Sequence, residues 1–387
     1  MSDAGPLLYL IAGEPSGDLL GGSLMAALKR RTGDAVRFAG IGGPKMMAQG
    51  LEPLFPMTEL AVFGLAEILP KLPHLMRRGE QTVADIARLR PAALITIDAP
   101  GFALRVAERV KPLGVPRIHY VAPSVWAWKP GRAAKIAKYL THLLALLPFE
   151  PPYFEKEGLP CTFVGHPAIE GMAGTGDAAA FRARHGLPAD RRVIIMLPGS
   201  RFGEIGRMLP VFLEALRRLQ SGRETFTVAV PVPDYLADRV RAGMAGSRLE
   251  TILIAGDAEK FDAFAAAELA LAKSGTVTLE LALSGVPAVI GYRVHPISHF
   301  IATRLVVGKY AGLPNVILDR LLVPELLQYD CTPERLAVEL SRLLDDPAVR
   351  QAQLDDGAEI RRLLSPEGKT PSEAAADAVL EVLSCRA

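Results

Sequence analysis

The stretch LALAKSGTVTLELAL carries a lysine, Lys273, two hydroxyls just after it, Ser274 and Thr276, and a carboxylate, Glu280. An apolar run ends at Lys273, and Ser274, Gly275 and Thr276 then open a helical pattern. The first N–H groups of a helix lack intrahelical partners and carry the positive end of the helix dipole, so such a start suits a diphosphate. Glu280 lies one turn beyond Thr276 on the same face. A carboxylate there can accept two vicinal hydroxyls of the kind a ribose offers. Its neighbours Leu279, Leu281, Ala282 and Leu283 argue against a freely solvated glutamate. LPGSRFGEIGR repeats the arrangement: Gly199 and Ser200 supply a flexible turn and a hydroxyl, and Arg201 supplies a forked cation suited to phosphate. A cation at a helix start opposes the dipole, which favours a functional over an incidental arginine.

Asp98 closes the apolar run LITID. A carboxylate at the carboxyl end of a parallel strand points to where such sheets bind ligands, and it can serve as general base for an attacking sugar hydroxyl. Capping the next helix is the plain structural alternative. AGEPSGDLLGG places Glu14, Ser16, Gly17 and Asp18 at the first strand-to-helix corner. Its glycines let backbone N–H groups approach a ligand, and its helix start favours an anion or polar group. A tight turn with Asp18 or Ser16 as N-cap accounts for the same residues. The corner does not match GxGxxG, so a nicotinamide cofactor is not implied.

YVAPSVWAWKPGR holds both tryptophans, Trp126 and Trp128, followed by Lys129 and Arg132, with His119 just upstream. Aromatic faces beside cations suit a sugar or an anionic group, although a core role stays open for one indole. Two stretches mix apolar and basic residues. The first sets Leu65, Leu69, Leu72 and Leu75 among Arg77 and Arg78, and the second sets Phe300, Ile301 and Leu305 around Arg304. Core helices explain each, and docking on an anionic membrane or holding an acyl chain is the alternative. No Walker A, HExxH or aspartate-rich motif occurs and the seven histidines do not cluster, so no catalytic metal is expected. Arg201 and the helix dipole would then stabilise a diphosphate leaving group.

Strands must position these groups. Nine compact apolar runs, from LLYLIAG to VPAVIGY, alternate with amphipathic stretches and read as strands buried on both faces of parallel sheets. In EIGRMLPVFLEALRRL the residues Ile205, Met208, Leu209, Phe212, Leu216 and Leu219 form one apolar helix face. The pattern predicts an α/β fold of two Rossmann-like doubly wound domains facing each other across a cleft. The first domain is placed at residues 1–168, the second at 169–360, and the last helices, 361–387, pack back on the first domain or on a partner chain. A length of 387 residues fits two domains. A formal charge of +2 gives no case for nucleic acid. Cys161, Cys331 and Cys385 lie far apart and read as reduced thiols of a cytosolic protein. The first apolar run lacks a basic preceding region, so it reads as a strand and not as a signal peptide.

The ordered set AGEPSGD at Ala12, GIGGPKM at Gly40, FGLAEIL at Phe63, IDAPGF at Ile97, YVAPSVWAWKPGR at Tyr120, LPFEPPYFEKEG at Leu147, FVGHP at Phe163, LPGSR at Leu197, AKSGTVTLELAL at Ala272 and GLPNVI at Gly312 resembles the lipid-A-disaccharide synthase family over nearly the whole chain. The resemblance implies a GT-B fold and an inverting transfer. Its donor is UDP-2,3-diacylglucosamine and its acceptor 2,3-diacylglucosamine 1-phosphate, giving a β-1,6-linked disaccharide 1-phosphate and UDP. It implies Asp98 as base, Arg201 and Ser274–Glu280 as the UDP site, and Asn315 as a polar residue near it. The resemblance leads one to expect an acidic residue at position 101, where this chain has glycine, which leaves Asp98 the sole carboxylate candidate on that strand. The resemblance further implies peripheral attachment to the cytoplasmic face of the inner membrane, no cofactor, and a homodimer with exchanged C-terminal parts. A UDP-N-acetylglucosamine 2-epimerase of the same architecture is the nearest alternative, and it would leave the apolar basic stretches unexplained. A catalytically dead lipid or nucleotide-sugar binding protein is a second, separated by turnover and by Asp98→Asn.

Overall fold

The computed structural model describes residues 5–60, 65–98, 101–127, 131–254, 256–294 and 308–385, without the side chains of 65–71, 257 and 258. The chain divides into two compact units, Met1–Pro167 with Leu364–Ala387, and Ala168–Leu363.

In the first unit β1 (Leu7–Ala12), β2 (Arg37–Ile41), β3 (Ala93–Ile97), β4 (Arg117–Tyr120), β5 (His142–Ala145) and β6 (Cys161–Phe163) form one parallel sheet in the order β2-β1-β3-β4-β5-β6. Alternation along β1 builds two cores. Leu8 and Leu10 join the apolar faces of the helices Pro15–Thr32 and Pro371–Ser384, and Tyr9 and Ile11 join that of the helix Ala103–Arg109. Gly17 buries against β3, where an added Cβ would stand 3.2 Å from the Ile97 carbonyl oxygen, so the first helix lies close to the sheet.

The helix Pro371–Ser384 returns to this unit after the second unit is complete. A capping box fixes its start: the Thr370 hydroxyl accepts from the Glu373 N–H, and the Glu373 carboxylate accepts from the Thr370 N–H at 3.0 Å. Buried Ala375, Ala376 and Ala378 are small enough for close packing on the helix Pro15–Thr32, and Asp377 pairs with Arg31 at 2.9 Å and Lys369 at 2.6 Å. Of the two places open to the last helix, the first domain or a partner chain, the described residues show it against the helix Pro15–Thr32 of the first unit.

In the second unit β7 (Val193–Leu197), β8 (Thr227–Pro231), β9 (Glu250–Ile254), β10 (Leu269–Ala272), β11 (Ala288–Tyr292) and β12 (Glu325–Leu327) form a parallel sheet in the order β12-β11-β10-β7-β8-β9. The helix Phe202–Gln220 buries the whole predicted stripe, Ile205, Met208, Leu209, Phe212, Leu216 and Leu219, and packs beside the helix Pro333–Asp345. All nine predicted strands are present; β2, β6 and β12 are additional, and each lies at the edge of its sheet. Strand order reverses between β1 and β3 in the first unit and between β7 and β10 in the second, the switch points at which open α/β sheets bind ligands.

Among the buried titratable groups of the first unit are His119 and Glu150. Burial pushes the His119 ring down to about 3, aided by the charge of Arg132, so it is neutral, with Nδ1 2.8 Å from the Thr96 hydroxyl. Glu150 accepts from the Trp126 indole N–H at 3.1 Å and the Leu147 N–H at 3.0 Å. Burial pushes its carboxyl up to about 7 despite those bonds. Trp126 thus serves the core, edge-on to Phe149, while Trp128 and Lys129 lie outside the described residues. Because the folded state holds the Glu150 proton more tightly than the unfolded chain, that contribution to stability is full below the ordinary value of 4.5 and is lost as pH rises through about 7. Between about pH 4.5 and pH 8, wild type should therefore lose about 3 kcal/mol relative to Glu150→Gln in urea unfolding. A difference that does not change with pH would mean that Glu150 titrates as an ordinary carboxylate.

Candidate active site

At the first switch point β1 ends at Ala12, and the helix begins at Pro15, a residue pre-set for a first helical position. Glu14 and Ser16 are exposed there. Asp98 follows β3 directly and keeps its N–H on the Tyr120 carbonyl at 3.0 Å. Its φ of +49° is left-handed, a conformation that aspartate tolerates better than most residues and that swings the carboxylate off the strand direction. The Ser16 hydroxyl donates to Asp98 Oδ2 at 3.1 Å, while Oδ1 has no partner among the described residues. One strand over, Val121 sits at φ +81°, costly for a β-branched residue. Strain of this kind collects where a site over-determines its backbone.

Asp18 does not take the ligand-facing place expected of it, and it caps a neighbouring helix instead of its own. It is 4% exposed and accepts the N–H groups of Gly43 at 2.8 Å, Lys45 at 3.0 Å and Met46 at 3.0 Å. Both carboxylate oxygens are thereby committed to the start of the short helix Pro44–Met47.

A cavity of about 820 Å³ opens within the first unit, reached by Gly13 and Glu14 after β1 and by Gly101 and Phe102 shortly after β3; Asp98 is not on its lining. Leu60, Leu72, Leu75, Met76 and Phe102 give it an apolar wall, and Glu14, Arg105 and Arg109 are also on its lining. Leu72 and Leu75 project from the helix Leu65–Leu89; the side chains of Leu65 and Leu69, and Arg304, lie outside the described residues. Arg77 is exposed. Arg78 departs from the expected membrane contact. Its guanidinium grips Glu59 through two bonds, 2.7 Å to Oε2 and 2.8 Å to Oε1, and stacks 4.7 Å above the Phe55 ring, which ties the helix to the preceding loop. That hydrogen bonding holds the Glu59 carboxyl below the usual carboxylate range.

At the second switch point a cavity of about 660 Å³ lies within the second unit. The loop after β7 brings Ser200 and Arg201 to it, and the loop after β10 brings Ser274, Gly275, Thr276 and, one turn on, Glu280. Arg201 is at the N-cap of the helix Phe202–Gln220, its side chain 76% exposed. Gly199 adopts φ +131°, and a Cβ there would stand 2.6 Å from Glu204 Cβ. Glycine is therefore required where the loop folds over Glu204. Glu204 is buried, accepts the Ser200 N–H at 3.0 Å and pairs with Lys273 at 2.9 Å. Burial raises its carboxyl, but the bonds from Lys273 and Ser200 and the charges of Lys273 and Arg201 outweigh this and hold it below the usual carboxylate range. Glu280 pairs through Oε2 with Lys260 at 3.0 Å.

Asn315 is not on this cavity. It is fully buried, donates to the Val323 carbonyl at 2.8 Å and to Glu325 at 2.6 Å, and accepts the N–H groups of Leu322 and Val323 at 2.8 Å. Glu325 in turn accepts the N–H groups of Ala311 and Gly312 at 2.8 Å, and the Ala311 carbonyl accepts from the Ser274 hydroxyl at 2.6 Å. The amide therefore acts on the site only by holding the loop against which Ser274 rests.

A profile described as lipid-A-disaccharide synthetase matches residues 8–379. The chain belongs to the lipid-A-disaccharide synthetase family. It is 53% identical to the lipid-A-disaccharide synthase of Rhodospirillum centenum, over 98% of this chain and 95% of that protein. Among solved structures, a UDP-GlcNAc 2-epimerase from Neisseria meningitidis bound to UDP-GlcNAc superposes with TM-score 0.65 at 10% identity, covering 98% of this chain and 99% of that one. A glycosyltransferase from Rickettsia africae gives TM-score 0.58 at 10% identity, covering 99% and 98%. At these identities the likeness is one of fold, the two-domain α/β GT-B architecture.

Motif reading of this lipid-A-disaccharide synthetase family member left out Glu204 and Lys260, and it treated Lys273 only as a strand end. It also missed Arg105 and Arg109, whose four-residue spacing puts them on one helix face and was the available signal. Asp18→Ala leaves three N–H groups without their acceptor and should cost about 3 kcal/mol in urea unfolding. A ligand-facing Asp18 would instead weaken substrate binding at unchanged stability.

Proposed function

We propose that the protein joins UDP-2,3-diacylglucosamine to 2,3-diacylglucosamine 1-phosphate by a single inverting displacement, giving the β-1,6-linked disaccharide 1-phosphate and UDP. The observation that carries this reading is the gathering of Ser200, Arg201, Ser274, Thr276 and Glu280 on one cavity at a strand-order switch point, in a chain of this family. The second unit is the donor unit. Arg201 and the hydroxyls meet the diphosphate, and Glu280 takes the ribose hydroxyls with Oε1 while Lys260 holds Oε2. The first unit is the acceptor and membrane-facing unit. Asp98 Oδ1 accepts the proton of the acceptor's 6-hydroxyl as that oxygen bonds to the anomeric carbon, and the bond from this carbon to the diphosphate breaks on the opposite face. Ser16 orients the base through Oδ2. Charge growing on the departing diphosphate is met by Arg201.

The apolar wall of the first cavity suits an acyl chain of the acceptor, with Leu72 and Leu75 as contacts. Among the described residues no helix is long and apolar enough to cross a membrane. Exposed Met76 and Arg77 suit peripheral attachment to an anionic surface, the cytoplasmic face of the inner membrane.

UDP should appear only when both acylated glucosamines are supplied, and UDP-N-acetylglucosamine alone should yield no manno epimer. The epimer would favour the epimerase alternative. Asp98→Asn should lower UDP release about 10²- to 10⁴-fold while UDP binding, measured by calorimetry, stays unchanged; a fully active variant would remove Asp98 as base. Leu75→Glu places a charge against the acyl chain and should raise the acceptor KM about tenfold or more at unchanged UDP affinity.

A further inference from the structure

We infer that Lys273 is a second cation for the donor's diphosphate, acting beside Arg201. The inference rests on the nucleotide reading of the second cavity and adds a residue to it. Lys273 follows β10 at the switch point, with its N–H on the Leu197 carbonyl at 2.9 Å, so its backbone is fixed by the sheet. Its side chain is 16% exposed and on the cavity lining with Ser200, Arg201 and Ser274. The ammonium is held from two sides, 2.9 Å from Glu204 Oε1 and 4.9 Å from the centre of the Tyr292 ring.

An ammonium carries three protons, and a single carboxylate oxygen and a ring face do not use them all. The cavity is where the remainder can be satisfied. Glu204 offsets the cost of burying this cation before a ligand arrives, and it binds the Ser200 N–H with its other oxygen, so two groups of the cavity wall share one anchor. A core needing only packing at this place would be served by an apolar residue at lower desolvation cost. Lys260, the other lysine on this wall, is already paired with Glu280, whereas Lys273 stands between the two phosphate-facing loops.

UDP and uridine separate the diphosphate from the rest of the nucleotide. In calorimetry Lys273→Met should weaken UDP binding about tenfold or more and leave uridine binding within about twofold. Lys273→Arg, which keeps the charge, should recover much of the UDP affinity. In wild type, the Lys273 ammonium signal of ¹⁵N-labelled protein, assigned by its loss in Lys273→Arg, should move with UDP and not with uridine, a readout that does not depend on the methionine variant folding. Equal losses for UDP and uridine, or a signal that ignores UDP, would reduce Lys273 to a structural residue. Wild type that binds UDP no better than uridine would overturn the nucleotide reading itself.

Discussion

Reversal of strand order is the constraint on which the candidate chemistry depends. In a parallel sheet all carboxyl ends lie along one edge, and where the order reverses, successive helices leave for opposite faces and open a crevice. Both sheets have one such place. In the first unit it lies between β1 and β3, so Ser16 and Asp98 meet although 82 residues separate them. In the second it lies between β7 and β10, and Arg201 shares a wall with Ser274. The backbone bears strain at these edges, at Asp98 and Val121, and needs glycine at 199.

Behind the exposed groups stands a layer of buried polar anchors. Asp18 holds the loop before Pro44, Asn315 and Glu325 hold the loop that Ser274 leans on, and Glu204 holds Ser200 and Lys273. Each is closely supplied with partners, as burial of a polar group demands. Loss of such an anchor would reach the cavities through the backbone, without any direct contact to a ligand.

Central strands were legible because burial on both faces leaves an uninterrupted apolar run. Three of the four edge strands were not: RFAGI opens with an arginine, CTF spans three residues, and ELL begins with the glutamate that anchors Asn315. The apolar stripe of the helix Phe202–Gln220 was legible because its periodicity decides which side packs. The site was legible at the level of loops but not of side-chain direction. Asp18 and Asn315 sit in the same motifs as ligand-facing residues, and only the fold turns them inward. Arg78 looks like a free surface cation until Glu59, 19 residues earlier, is placed beneath it. The Glu204–Lys273 pair spans two βαβ arms, so no local spacing announces it.

The return of the helix Pro371–Ser384 has a consequence for synthesis of the chain. One face of the first sheet and its leading helix depend on residues translated after the whole second unit. At ordinary ribosomal speeds that leaves Leu20, Leu24 and their neighbours without their last cover for a time on the order of tens of seconds. The second unit, contiguous in sequence, has all its strands in hand before then. The nascent protein is thus obliged to finish its interior in reverse, with the earlier half sealed last.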